Sequence, residues 1–269
     1  MAIRIGIGGW TFEPWRGVFY PEGLPHAKEL PHAASVLKTI EINGTFYRTP
    51  SAKSCADWAR QVPDGFVFAL KATRYVTQRR VLAEAEESVG KFITSGIVEM
   101  GDRLGPINWQ FAATKAFDPD DMATFMALLP KAHEGVALRH ALEVRHPSFV
   151  VPEFVELARK HGVAIVFADH ETYPAIADLT ADFTYARLQQ TAEEIETGYK
   201  AADLARWAKA AKDWEIGKVP EGLPQAGTPA KAAKGKKADT RDVFLYLIGG
   251  AKVRNPAGAI ALQREVDGR

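Results

Sequence analysis

Short runs of alternating apolar and polar positions recur along the chain, and the stretches between them carry apolar residues at helical spacing. Residues 3–9 (IRIGIGG) read as a first strand with a glycine exit, 39–43 (TIEIN) as a second and 66–71 (FVFALK) as a third. A fourth, 107–111 (INWQF), opens after Gly105-Pro106; 164–169 (AIVFAD), 183–189 (FTYARLQ) and 243–248 (VFLYLI) supply the sixth, seventh and eighth. The fifth lies in 141–149 (ALEVRHPSF), where Leu142 and Val144 alternate with Glu143 and Arg145 until His146-Pro147 stops the ladder, because proline has no N–H to donate. Helices are predicted over 26–37, over 51–60 with Ser51 as cap, and over 83–92, continuing toward Leu104 with a break at Gly96. Further helices are predicted over 118–129, 154–161 with Gly162 as stop, 203–215, and the C-terminal segment.

Strands alternating with helical stretches are the pattern of a parallel sheet. Eight such units in a chain of this length predict a single-domain (β/α)8 TIM barrel, a fold of about 250 residues. A doubly wound open sheet is the alternative, but IGIGGW lacks the third glycine of a dinucleotide fingerprint and runs into a proline-rich loop, not a helix. No cofactor is therefore expected. That loop (GWTFEPWRGVFYPEGLP) carries Trp10, Trp15, Phe19 and Tyr20, as a plug over one barrel end or an apolar wall for a ligand. Residues 217–239 depart from the rest in being rich in lysine, alanine, glycine and proline, and read as a flexible surface insertion before the last strand.

Composition narrows the picture by exclusion. A net charge of +1 over 269 residues argues against a dominant electrostatic footprint for nucleic acid or anionic membrane. The single cysteine, Cys55, excludes an internal disulfide and points to a reducing compartment. No apolar run approaches the roughly 20 residues of a membrane span, and the first residues form a strand pattern with no signal-peptide features, so a cytoplasmic location is expected and no membrane partner.

In (β/α)8 barrels the active site lies at the C-terminal ends of the strands. Those ends here carry Glu41, Asn43, Lys71, Gln110, Glu143, Arg145, Asp169, Arg187 and Gln189. On strands two, five and seven the polar pairs are spaced i, i+2, which points both members to one face. A carboxylate and a guanidinium on a strand expected to be buried need pairing. A structural ion pair and an acid/base site both supply a reason. Glu143, Asp169 and His146 or His170 are of metal-ligating types, but no HxH, HExxH or CxxC spacing is present and the nearby cations oppose a metal, so none is expected. The loop after strand eight, with Gly249, Gly250, Lys252 and Arg254, has the composition of an anion site or of an ordinary glycine turn.

The motifs IGIGGWTFEPWRGVFYPEGLP, TIEINGTFYRTP, FALKATRYVTQRRVL, GDRLGPINWQF, ALEVRHPSF, FADH and YARLQ, in this order, resemble the DUF72 (YecE-like) family over nearly the whole chain. The resemblance implies a TIM barrel and supplies no activity. It also implies two departures: Gln78 and Gln189 stand where family members commonly carry histidine, and glutamine neither titrates nor serves as a comparable metal ligand.

The leading expectation is an enzyme that binds a small polar, anionic or sugar-like molecule at the mouth and performs hydrolysis or isomerisation by carboxylate acid/base chemistry. Glu41, Glu143 and Asp169 would exchange protons. Asn43, Lys71, Gln110, Arg145, His146, Arg187 and Gln189 would bind the ligand, with Trp10, Phe46 and Tyr47 as walls. The alternatives are a nucleic-acid-binding or -processing protein using the same mouth and the lysine-rich insertion, and a non-catalytic barrel that binds a ligand or partner.

Overall fold

A computed structural model of the protein describes residues 2–228 and 240–269. Eight parallel strands close into a barrel in chain order. They are β1 (Ile3–Gly8), β2 (Thr39–Ile42), β3 (Val67–Lys71), β4 (Leu104–Gln110), β5 (His140–Glu143), β6 (Ala164–Asp169), β7 (Phe183–Leu188) and β8 (Asp242–Leu247). Around them lie α1 (Glu29–Val36), α2 (Ala52–Arg60), α3 (Arg74–Thr77), α4 (Glu86–Ile93), α5 (Pro119–Ala127), α6 (Pro152–His161), α7 (Ala201–Glu215) and α8 (Asn255–Asp267). The (β/α)8 barrel expected from the alternation is the architecture found. Among the described residues no helix is long and apolar enough to cross a membrane.

The two faces of the sheet are built from different residues. Outward, Ile5, Ile7, Ile40, Ile42, Phe68, Leu70, Trp109, Leu142, Phe167, Leu188 and Leu245 are buried against the helices. Inward, the lining is small or polar: Gly6, Gly8, Ala69, Ala141, Ala164 and Ala168 leave room for Tyr185, Tyr246, Phe183, Phe244 and Arg187. A Cβ on Gly6 would strike the Thr39 carbonyl, and one on Gly8 would meet Ile248 and the Asn43 amide. The N-terminal end is closed by Asp242, which forms an ion pair with Arg4 at 3.1 Å and accepts from Arg139 at 2.9 Å, with the Arg139 guanidinium 4.9 Å from the Phe244 ring.

Three details differ from the sequence expectation. Strand β5 ends at Glu143, so Arg145 and His146 lie in the loop beyond it. Strand β4 begins earlier, at Leu104, and includes Gly105 and Pro106. In addition, the first part of the expected surface insertion, 217–228, is anchored to the barrel: Val219, Leu223 and Ala226 pack against the core, and the Ala226 and Gly227 amides donate to Asp178 at 2.7 and 3.2 Å. Those apolar side chains are few, but they cover the β6–β7 connection, which has no helix of its own. The remainder of that stretch, 229–239, with the lysine run, lies outside the described residues.

Loop 9–25 is packed down onto the C-terminal end of the barrel. Trp15 is buried and its indole N–H donates to the Lys252 carbonyl at 2.9 Å; the Tyr20 hydroxyl donates to the Trp10 carbonyl at 2.5 Å. It acts as a plug at one side and contributes Trp10 to a cavity wall at the other.

Candidate functional site

The inward-facing residues at the C-terminal end form one hydrogen-bonded network. Glu143 is 0% exposed. Its Oε1 accepts from Arg145 Nε at 2.9 Å and Nη2 at 2.8 Å. Its Oε2 accepts from Arg187 Nη1 at 2.6 Å, Gln110 Nε2 at 2.7 Å and Asn108 Nδ2 at 3.3 Å. Glu41, also fully buried, accepts from Arg187 Nη2 at 3.0 Å, from Asn108 Nδ2 at 3.4 Å and from the Tyr185 hydroxyl. Arg187, from β7, thus bridges two carboxylates on strands β2 and β5.

Burial alone would raise the Glu143 carboxyl. Arg187 and Arg145, with the Gln110 hydrogen bond, outweigh it and hold Glu143 down at about 2. Burial likewise opposes the charge of Arg187, and the two glutamates more than compensate, pushing it further up. Tyr185 is pushed well above the usual phenol value by burial and then by Glu41, so it remains a donor. These carboxylates hold arginines in place. Glu143, with five donors on two oxygens, is a fixed anion at neutral pH.

Above this floor opens a cavity of about 840 Å³. Its lining includes Arg48, Lys71, Arg145, Arg187 and Lys252, the hydrogen-bonding side chains of Thr11, Asn43, Ser51, Ser54, Gln110 and Gln189, and the indoles of Trp10 and Trp58. Among the described residues no carboxylate lines it. Lys71 sits 4.3 Å from the Phe46 ring centroid. Its ammonium is lowered to about 8, first by burial and then by Arg187, against the pull of Glu41 and Glu143. Two buried donors on lining residues, Arg187 Nε and Gln189 Nε2, have no acceptor among the described residues. Trp10 meets Trp58 edge to face at 5.7 Å.

The predicted site residues fall into two groups. Glu41, Asn43, Lys71, Gln110, Glu143, Arg145, Arg187, Gln189 and Trp10 converge on the floor or wall of this cavity. Phe46 lies beside Lys71, while Tyr47 stands 64% exposed on the rim. Asp169 is not part of the network. Ala168 takes the inward position opposite Arg187, so Asp169 faces the other way and accepts from Gln190 Nε2 at 2.7 Å and the Tyr199 hydroxyl at 3.3 Å. Burial raises its carboxyl despite those bonds. His146 caps the turn Pro147–Phe149, its Nδ1 accepting from the Ser148 amide at 3.2 Å.

The glycine loop after β8 is also divided. Gly249 and Lys252 line the cavity, whereas Gly250 turns to a smaller cavity of about 410 Å³ beside His170 and Thr191, and Arg254 Nε donates to the Glu193 carbonyl at 2.8 Å. Among the described residues no cluster of three His, Cys, Asp or Glu side chains is gathered that could hold a metal ion. Cys55 is buried and its thiol is pushed up to about 11 by burial and then Glu99.

Sequence reasoning missed Arg48, Trp58 and Tyr173. Arg48 lies in the GTFYRTP loop directly after β2, where a position on the C-terminal rim was available as the signal. Tyr173, whose ring lies 4.4 Å beneath the Arg145 guanidinium, comes from the β6–β7 connection and carried no such signal.

The sequence profile of the DUF72 family, described as a protein of unknown function, matches residues 4–267. The chain belongs to the DUF72 family. Its fold is similar to that of a DUF72 family protein from Thermotoga maritima, with a TM-score of 0.75, 21% identity, and 99% of this chain and 100% of that one covered. It is similar also to a DUF72 family protein from Enterococcus faecalis, with a TM-score of 0.68, 16% identity and coverage of 98% and 97%. A more distant likeness to SacUVDE has a TM-score of 0.52 at 11% identity, with 99% of each chain covered. At these identities the likenesses establish the barrel and not an activity. None of the curated proteins matches the chain. Gln189 lines the cavity, whereas Gln78 is exposed at the end of α3.

Proposed function

We propose that the protein is an enzyme that binds a small anionic metabolite in the C-terminal cavity and acts on it by proton transfer, as a hydrolase or isomerase. The observation that carries this reading is the one-sided charge of the lining: among the described residues five cations line the cavity, and the carboxylates that balance two of them lie beneath, bonded to Arg145 and Arg187. Planar guanidiniums suit bidentate capture of a carboxylate or phosphate. The floor network holds them before the ligand arrives, which lowers the cost of binding. Proton exchange falls to Lys71, lowered to about 8, and not to Glu143, held at about 2.

The test is calorimetric titration with sulfate, inorganic phosphate and citrate against wild type, Arg145→Ala and Arg48→Ala. Binding to wild type that weakens at least tenfold in each variant, about 1.4 kcal/mol, supports the reading. Absence of anion binding, or equal binding by all three proteins, overturns it.

A nucleic-acid backbone presents the same phosphate chemistry and is the second reading. Tyr47, 64% exposed, is followed by Arg48 in the loop after β2, and Tyr75, 60% exposed on α3, lies 5.6 Å from the Arg74 guanidinium, exposed rings beside guanidiniums of the kind suited to unstacked bases. Affinity for single strands that falls steeply with salt would mark it.

A further inference from the structure

The side chain of Lys71 is placed differently from the arginines around it. It projects inward from the last position of β3, a rigid element, into the cavity. Among the described residues no hydrogen bond or ion pair holds its Nζ; the contact it makes is with the face of Phe46 at 4.3 Å. Arg145 and Arg187, by contrast, are each tied to buried carboxylates. An amine that is desolvated, set beside other cations and free of an anionic partner is the arrangement that makes a lysine nucleophilic near neutral pH.

We propose that the Lys71 amine is a nucleophile that condenses with the carbonyl carbon of an anion-bearing ketone or aldehyde, forming an imine inside the cavity. This rests on the anion-binding reading above and deepens it by giving Lys71 a covalent role in place of proton exchange, because the arginines would hold the substrate's carboxylate or phosphate while its carbonyl carbon faces Nζ. In the addition step the nitrogen lone pair forms the C–N bond, the C=O π bond breaks, and an N–H proton passes through water to the new hydroxyl. In the second step that hydroxyl takes a proton from hydronium in the solvent and leaves as water, while the nitrogen lone pair forms the C=N bond. Amine, carbonyl and one proton therefore give an iminium ion and one water. The iminium withdraws electrons from the adjacent carbon, which is the chemistry an isomerisation next to a carbonyl requires. Glu41 and Glu143, fixed beneath, face the added positive charge, and Arg145 and Arg187 the substrate anion.

The test uses the full chain incubated with pyruvate or dihydroxyacetone phosphate, with acetone as neutral probe, followed by borohydride reduction and peptide mass mapping. Labelling of Lys71 by at least one anionic probe, tenfold or more above acetone and suppressed by excess sulfate, is expected. The probe that labels assigns the anion as carboxylate or phosphate. Labelling should rise with pH through about 8, as Lys71 becomes a free amine under the influence of burial first, and then of Arg187 and Arg145 against Glu41 and Glu143. Lys71→Arg should lose the label while remaining folded by circular dichroism. The proposal is overturned if both anionic probes leave Lys71 unlabelled, or label it no more than the exposed Lys91. Sulfate binding without Lys71 labelling removes the imine alone, whereas a wild-type protein that binds no sulfate removes the anion site as well.

Discussion

Replacing Arg187 by methionine tests the floor of the cavity most sharply. The guanidinium is 4% exposed and donates to Glu41 at 3.0 Å and to Glu143 at 2.6 Å, both carboxylates being fully buried. Removing one partner of a buried ion pair leaves an uncompensated charge and costs roughly 3–5 kcal/mol. Glu143 would keep Arg145, Gln110 and Asn108; Glu41 would keep the Tyr185 hydroxyl and Asn108. The lower half of that range, about 3 kcal/mol, is therefore expected at pH 7, equivalent to a fall in Tm of roughly 6 °C for a chain of this size. The pH dependence distinguishes charge from packing. Arg187 is the first of the charges that hold Glu143 low, ahead of Arg145 and the Gln110 hydrogen bond, so the variant keeps less of that depression. A depressed carboxylate contributes stability above its unfolded pKa of about 4.3 and loses it as pH falls toward the native value. The deficit of the variant should therefore stay constant from pH 7 to about 5 and shrink as pH falls further, toward about 3. Urea unfolding followed by circular dichroism at pH 7 and pH 3 measures this. A deficit below about 1 kcal/mol at pH 7, typical of an exposed pair, or one that does not change with pH, would refute the reasoning.

Other outcomes follow from the same geometry. In wild type, Glu143 is held below its unfolded value, so its contribution is complete above about pH 4.3 and is lost as pH falls toward 2; acid titration of stability should show that loss, and Glu143→Gln should flatten it. Asp169→Asn should leave sulfate affinity within about twofold, roughly 0.4 kcal/mol, because Asp169 faces away from the cavity toward Gln190 and Tyr199. Sulfate affinity should fall as pH rises through about 8, where Lys71 loses its charge, and Lys71→Met should abolish that step. Gly8→Ala should cost about 1–3 kcal/mol by overpacking, since the added methyl meets Ile248 and the Asn43 amide; thermal unfolding reads it.

The barrel was legible because its strands carry their signal locally. Each outward face offers Ile, Leu, Phe or Trp at alternate positions, and the turns between are marked by glycine and proline. Parity alone also brought Glu41, Glu143 and Arg187 together, since each strand sends i and i+2 to the same face. The same rule places Asp169 outside the group, one residue past the inward Ala168, and following parity across neighbouring strands would have excluded it. What the pattern could not carry was direction of charge. Carboxylates and guanidiniums at strand ends look equivalent in a sequence, and only the layers of the barrel show acids beneath and cations facing the cavity. Tyr173 was invisible for another reason: it reaches Arg145 from a connection without regular structure, whose path no periodicity encodes. The apolar contacts of 217–228 were hidden by the surrounding lysine-rich composition.

The central claim is that the C-terminal cavity presents cations to an anion. A crystal of the protein soaked in tungstate, a heavy analogue of sulfate, tests it directly through anomalous scattering. The account predicts a dominant peak in the cavity within hydrogen-bond reach of Arg145 and one or more of Arg48, Lys71 and Arg187. A cavity without a peak, or a dominant peak elsewhere on the molecule, would contradict it.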